Sequence, residues 1–143
     1  MSSIEVTDRQ AVVACSPDEI RRVVETALRM ERRTAELSIA LVDDADMEEL
    51  NRRFLDREGV TDVLAFPYET SGDVLEGEII ANAELAARRA ADLPHGPLEE
   101  LLLYVVHGTL HLLGYDDHEE EETRRMRARE QDVLNAAGYE VQY

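Results

Sequence analysis

The chain has 143 residues, 44% of them hydrophobic and 33% charged, which predicts a single globular domain over residues 1–143. Against 15 Lys and Arg residues stand 32 Asp and Glu residues, so the formal net charge is −17. A negative field of this size repels nucleic-acid backbones and anionic membranes at long range, so composition alone argues against an RNA or DNA partner.

The predicted elements alternate between helices and strands. The first helix is expected to have Ser16 as its N-cap and Pro17 in its first position, because both residue types favour those places. Residues 63–66 and 75–81 are expected to pair as a hairpin with a long loop. In chain order, we predict a weak edge strand at 4–13, a helix after Ser16, a strand at 36–42, a helix after Asp43 and Asp44 that Gly59 ends, a strand at 62–67, a turn at 71–73, a strand at 75–81, and helices at 83–93, 98–113 and 119–137.

This order of elements predicts an α+β or mixed α/β fold with one small sheet, since helices are interleaved among three or four strands. No repeat, linker or change of composition divides the chain. The second helix carries the apolar residues Met47, Leu50 and Phe54.

Cysteine usage and the apolar segments indicate a cellular compartment. Cys15 is the one cysteine, so an intrachain disulfide is impossible. The first residues lack the basic and apolar regions of a signal peptide. The most apolar run, Leu101 to Val106, is too short to cross a membrane. We therefore expect a cytoplasmic protein with no membrane partner.

Three of the four histidines lie within 12 residues, at His107, His111 and His118. His107 and His111 are four residues apart, so one face of a helix presents both imidazoles within reach of a single metal ion. Gly114 is typical of a left-handed C-cap that turns the chain back, and both Asp117 and His118 are placed to return as a third ligand. Three protein ligands leave a position open for water, as in catalytic zinc sites.

The spacing also resembles that of one group of zinc proteases, His-x-x-x-His-x-x-Gly-x-x-His. Those proteases carry a general-base Glu directly after the first histidine, where this chain has Gly108. The protease interpretation therefore lacks its base.

The alternative without a metal is a structural histidine pair, but unpaired imidazoles would be costly on the most apolar helix of the chain. His95, in a turn rich in Pro and Gly, is expected to be a surface residue.

At these residues the chain resembles the YbeY family of bacterial metal-dependent endoribonucleases. The family signature is His-Gly-x-Leu-His-Leu-x-Gly-Tyr-Asp-His, and residues 107–118 match it except for one inserted acid. In order and spacing the resemblance covers about residues 36–139. Further blocks that resemble the family are Asn51 with Phe54, residues 61–67 and residues 77–80.

The resemblance implies a small mixed sheet of about four strands, about five surrounding helices, and a metal site on a long helix and the loop after it. It implies one zinc ion held by His107, His111 and His118, with His118 favoured by residue type and Asp117 by strict spacing. The implied activity is hydrolysis of single-stranded RNA in ribosomal RNA processing, chiefly at the 3′ end of the small-subunit RNA, and in ribosome quality control.

If the chain binds RNA, as the resemblance implies, its net charge of −17 should weaken that binding but does not exclude it. We expect weak affinity for free RNA, with binding through a local basic groove or through basic ribosomal proteins on the ribosome. Two further hypotheses are a metal-dependent hydrolase of another bond and a non-catalytic ribosome-assembly factor with a structural metal. No DNA partner is expected.

The sequence leaves two roles unassigned: the residue that replaces an arginine of the family, and the general base. Many family members carry an Arg directly after the aromatic residue of the Asn51 block, where this chain has Leu55. Arg53 and Arg57 are the candidates to replace it; with Arg52 they form either an RNA-binding patch beside Phe54 or an ordinary helix surface. The candidates for a general base are Asp116, Asp117 and Glu78, and Asp116 equally suits the orientation of a ligand imidazole.

Overall fold

A computed structural model describes residues 2–68 and 72–143, which form a four-stranded mixed sheet with five helices. This architecture confirms the expected α+β fold. The strands are β1 (Ser3–Asp8), β2 (Thr34–Val42), β3 (Val63–Pro67) and β4 (Val74–Asn82). The helices are α1 (Pro17–Met30), α2 (Asp44–Leu55), α3 (Ala83–Ala90), α4 (Pro97–Leu112) and α5 (Glu120–Ala137).

The strands lie in the order β1-β2-β4-β3. β2 runs parallel to β1 and to β4, whereas β3 pairs antiparallel with β4, from Val63 opposite Ala81 to Pro67 opposite Gly77. The predicted hairpin is therefore confirmed. The turn predicted at 71–73 falls partly outside the described residues.

Different helices cover the two faces of the sheet. Val63 and Ile79 face α4, which also packs on α1, α3 and α5. Leu64 and Ile80 pack instead in a smaller core with Met47 of α2. Because successive side chains of a strand point to opposite faces, α2 and α4 lie on opposite sides of the sheet. Among the described residues, no helix combines the length and apolarity that membrane crossing requires.

Two elements end earlier than the sequence predicts. β1 ends at Asp8 because the Gln10 side chain accepts hydrogen bonds from two backbone N–H groups of the following turn, each at 2.8 Å. α3 ends at Ala90, and residues 91–93 continue as a tighter turn with hydrogen bonds three residues apart.

The apolar residues of α2 differ in their burial. Met47 is fully buried and Leu50 is half-buried, but Phe54 is 61% exposed. Its ring leans on Phe66 of the edge strand β3, with ring centroids 6.3 Å apart. The helix ends one residue later, before Gly59, because Asp56 adopts a left-handed φ of 50°.

Reciprocal hydrogen bonds between Ser16 and Glu19 cap the start of α1 and should stabilise the fold. The Ser16 hydroxyl accepts a hydrogen bond from the Glu19 N–H at 3.2 Å, and the Glu19 carboxylate accepts one from the Ser16 N–H at 3.0 Å. Ser16→Ala is expected to lower the free energy of unfolding by about 1 kcal/mol, measured by urea denaturation. Ser3→Ala, at an exposed position of β1, is the control. Equal losses in both variants would contradict a specific capping role.

Candidate metal centre

The two spaced histidines lie on the most buried helix. His107 and His111 stand on one face of α4 with ring centroids 4.6 Å apart and an angle of 81° between the rings. Gly108 lets α4 approach the sheet closely, because a Cβ there would lie 2.9 Å from Ile79 Cγ2 and 3.1 Å from Val63 Cγ2. The packing of α4 on the sheet therefore fixes the position of both imidazoles.

The chain turns back directly after α4, as predicted. Gly114 has a φ of 105°, in the left-handed region that favours glycine. Its N–H donates to the His111 carbonyl at 3.0 Å, and the Tyr115 N–H donates to the Leu110 carbonyl at 3.0 Å. These bonds close the helix end and send the next residues back towards the histidine pair.

The side chain that returns to the pair is Asp117. Its Oδ2 lies 3.4 Å from His107 Nε2, and its Oδ1 lies 3.5 Å from His111 Nε2. The Thr123 hydroxyl donates to the Asp117 carbonyl at 3.1 Å and so ties this loop to α5. His107, His111 and Asp117 thus form a group whose donor atoms all lie within 4.8 Å of one another.

His118, the preferred third ligand in the sequence, points elsewhere. Its side chain is 81% exposed, and its Nε2 lies 3.0 Å from Asp116 Oδ1. The loop lies against α5, where Thr123 donates to the Asp117 carbonyl, and in this position the Asp117 side chain points to the histidine pair while the imidazole of the next residue stays outside. Strict spacing, rather than residue type, matches the arrangement that the structure shows.

The donor set fits a divalent cation. Two imidazole nitrogens and a carboxylate are a known combination for zinc with three protein ligands. Ligand atoms at about 2.0–2.2 Å from a tetrahedral zinc lie about 3.3–3.6 Å from each other. The measured distances of 3.4 and 3.5 Å from the Asp117 carboxylate to the two imidazoles fall in this range.

A buried acid stands behind the first histidine. Glu130 of α5 is 3% exposed, and its Oε2 lies 2.5 Å from His107 Nδ1. Burial disfavours the charged imidazole, but the hydrogen bond and the charge of Glu130 outweigh burial, so the pKa of His107 lies above its usual value.

Glu130 was not among the candidate residues predicted from the sequence, although its position on the apolar side of α5 is unusual for an acid. The residue lies four positions after Met126 and three before Val133, both of which belong to the buried side of α5. An acid at such a position on an apolar helix face must find a partner inside the protein. That pattern was sufficient to mark Glu130, but it did not identify His107 as the partner.

A cleft of about 600 Å³ opens beside His107 and Asp117. Arg89 of α3 lies on its wall, with its Nη1 3.2 Å from Asp62 Oδ2 and its guanidinium 6.0 Å from the centre of the Tyr104 ring. No local pattern in the sequence distinguished Arg89 from its neighbours, because residues of α4 and α5, distant in the sequence, form most of the cleft around it.

The predicted basic patch lies on the other face of the sheet, with α2. The guanidinium of Arg53 covers the Phe54 ring at 5.8 Å, and Arg52 lies 3.7 Å from Glu48. Leu55 packs against the smaller core beneath α2. The patch is thus separated by the sheet from the histidines on α4.

Two other sequence expectations are corrected by the contacts. Glu78 accepts a hydrogen bond from the Tyr68 hydroxyl at 2.7 Å on the α2 face, so it is not a general base at the histidine pair. The expectation that His95 is a surface residue is wrong. Its side chain is 5% exposed, with Nε2 2.7 Å from Glu100 Oε1.

Comparisons with known proteins identify the family of the chain. A family model described as endoribonuclease YbeY matches residues 4–138. A relative named endoribonuclease YbeY from Carboxydothermus hydrogenoformans is 41% identical over 85% of each chain. Another of that name, from Syntrophotalea carbinolica, is 39% identical over 94% of this chain and 95% of its own.

The fold has a solved counterpart as well. The solution structure of TM1509 from Thermotoga maritima has a TM-score of 0.65 and covers 93% of this chain and 90% of its own, at 23% identity. This likeness concerns the fold alone. The family model and the relatives together span nearly the whole sequence, and by that measure the chain belongs to the endoribonuclease YbeY family.

Proposed function

We propose that the chain is a metal-dependent endoribonuclease that cuts single-stranded RNA. Its place would be in ribosomal RNA processing, including the 3′ end of the small-subunit RNA, and in ribosome quality control. The observation that carries the proposal is the convergence of His107, His111 and Asp117 beside an open cleft, in a chain whose relatives are named endoribonucleases. The chain would act as one domain in the cytoplasm.

We propose that the metal is zinc, one ion, held by His107, His111 and Asp117 rather than by His118. When bound, the ion would supply Lewis-acid stabilisation of the charge that develops on the phosphate. The chain's own residues have separate tasks. Glu130 accepts from His107 Nδ1 and leaves Nε2 directed at the site.

Arg89 is the residue that we expect to meet an RNA phosphate. Its guanidinium lines the cleft next to His107 and is held by Asp62, so its direction is set before RNA arrives. Guanidinium groups match the geometry of phosphate oxygens. An oriented cation in the cleft is consistent with a chain of net charge −17, because it attracts RNA locally while the surface as a whole repels it.

Arg89→Ala is expected to weaken binding of single-stranded RNA and to lower the slope of log affinity against log salt by about 0.7. The affinity would be measured by fluorescence anisotropy over a series of salt concentrations. Arg88→Ala is the matched control, since that neighbouring arginine pairs with Asp44 of α2. An unchanged salt slope in Arg89→Ala, or an equal change in both variants, would exclude a phosphate contact at Arg89.

The proposed function is tested by incubating end-labelled single-stranded RNA, the same RNA as a duplex, and casein with the purified protein. We expect cleavage of the single strand alone, loss of cleavage with a chelator, and recovery when zinc is restored. The His111→Ala variant should be inactive. Cleavage of casein would favour a hydrolase of another bond, and RNA binding without any cleavage would favour an assembly factor.

A further inference from the structure

The buried Glu130 carboxylate joins the metal centre to the chain segment that follows α5. We propose that Glu130 and Tyr143 are positioning residues, which hold the His107 imidazole in the tautomer and orientation that present its Nε2 lone pair to the metal site. On this proposal the segment after α5, residues 138–143, contributes to metal binding through Tyr143. The inference rests on the proposed metal-binding function.

Each oxygen of the Glu130 carboxylate has its own partner. Oε2 lies 2.5 Å from His107 Nδ1, and Oε1 accepts a hydrogen bond from the Tyr143 hydroxyl. A carboxylate that is 3% exposed is costly unless hydrogen bonds replace its lost water. The Tyr143 hydroxyl therefore occupies one oxygen of the Glu130 carboxylate and holds the other oxygen towards His107.

These two contacts select the tautomer of the imidazole. In a neutral imidazole one ring nitrogen donates and the other accepts, and we assign the donor to His107 Nδ1, which faces the Glu130 carboxylate. The Nε2 lone pair is then free, and this is the atom that faces Asp117 at 3.4 Å. Burial and the hydrogen bond to Glu130 raise the pKa of Tyr143, which keeps its hydroxyl a donor.

Several contacts hold the Tyr143 ring in place. The guanidinium of Arg127 covers the ring at 4.4 Å from its centre. The backbone N–H of Gln142 donates to His95 Nδ1 at 3.1 Å, so His95 must donate from Nε2 to Glu100, at 2.7 Å. The segment is therefore anchored on α5 and on the loop before α4, and the hydroxyl has a defined position.

The decisive variant is Tyr143→Phe, which removes the hydroxyl and keeps the ring that Arg127 covers. We expect its affinity for cobalt, measured by calorimetry, to fall by about threefold to tenfold, less than the range of about 10–100-fold typical of a direct partner of a ligand. Glu130→Gln should show that larger loss. The visible absorption of the bound cobalt should shift in both variants, because the orientation of one ligand changes.

Tyr139→Phe is the matched control. It makes the same substitution in the same segment, but its hydroxyl donates to Glu19 of α1, at 3.2 Å. This variant should bind cobalt with the affinity and absorption spectrum of the wild type. If Tyr143→Phe and Tyr139→Phe have the same affinity and spectrum, the positioning role of Tyr143 is overturned.

A second measurement needs no metal. Nitrogen-15 NMR of the metal-free protein, above the pKa of the imidazole, should show His107 with its proton on Nδ1, and Tyr143→Phe should show a mixture of tautomers. An unchanged tautomer in that variant would count against the proposal. A wild type that binds neither cobalt nor zinc would overturn the metal-binding function itself, whereas equal metal binding by all variants would overturn the positioning role alone.

Discussion

Asp117→Ala is expected to lower the zinc affinity by more than about 100-fold and to reduce RNA cleavage to the level seen with a chelator. The reason is that the Asp117 carboxylate lies 3.4 and 3.5 Å from the two imidazole nitrogens and completes their group. Removal of a ligand should lower the metal affinity more than removal of a residue that hydrogen-bonds to a ligand, for which losses of about 10–100-fold are typical. Zinc titration and the single-strand RNA assay measure the two effects.

Two further substitutions make this result specific. His118→Ala should keep wild-type zinc affinity and cleavage, because its 81% exposed side chain contacts Asp116 and not the histidine pair. Asp117→His should retain zinc binding, because it places an imidazole at the spacing of the family signature. Full activity in Asp117→Ala together with inactivity in His118→Ala would reverse the ligand assignment.

Gly108→Ala is expected to destabilise the protein by about 1–3 kcal/mol, the usual cost of overfilling a packed interior. Its Cβ would lie 2.9 Å from Ile79 Cγ2 and 3.1 Å from Val63 Cγ2. Both neighbours are β-branched residues on strands, so they have little freedom to move. Urea denaturation would measure the loss, and Val63→Ala combined with Gly108→Ala should recover part of it relative to the two single changes.

Gly108→Glu tests the protease interpretation directly, because it restores the His-Glu-x-x-His order of the zinc proteases. We expect a larger loss of stability than for alanine and no hydrolysis of casein, since the position faces the sheet rather than the cleft. A stable variant that hydrolyses casein would show that position 108 is open to the site. The glycine is thus explained by helix–sheet packing.

The sequence predicted the core of the site because its signals are local. The spacing of His107 and His111 places two imidazoles on one helix face wherever that helix lies. Gly114 ends the helix through its own backbone conformation, with a φ of 105°. The start of α1 at Ser16 and Pro17 was predictable for the same reason, since a cap depends on the residues that it contacts nearby.

The choice between Asp117 and His118 could not be predicted from local sequence patterns. Asp117 and His118 are adjacent, and either residue type binds zinc. Their directions depend on how the loop lies against α5, where Thr123 donates to the Asp117 carbonyl. The exposure of Phe54 has a similar cause, because its helical spacing matched Met47 while its ring leans on Phe66 at the sheet edge.

Local patterns in the sequence were enough to predict the α+β fold, the two histidines on one face of the most apolar helix and the turn after that helix. The folded chain was needed to show that Asp117 lies beside these histidines, that Arg89 lines the cleft, and that Glu130 contacts both His107 and Tyr143. Local patterns depend on helical period and backbone conformation, which a few residues set. Contacts between α3, α4 and α5 depend on packing among distant segments, and no short stretch of the chain encodes them.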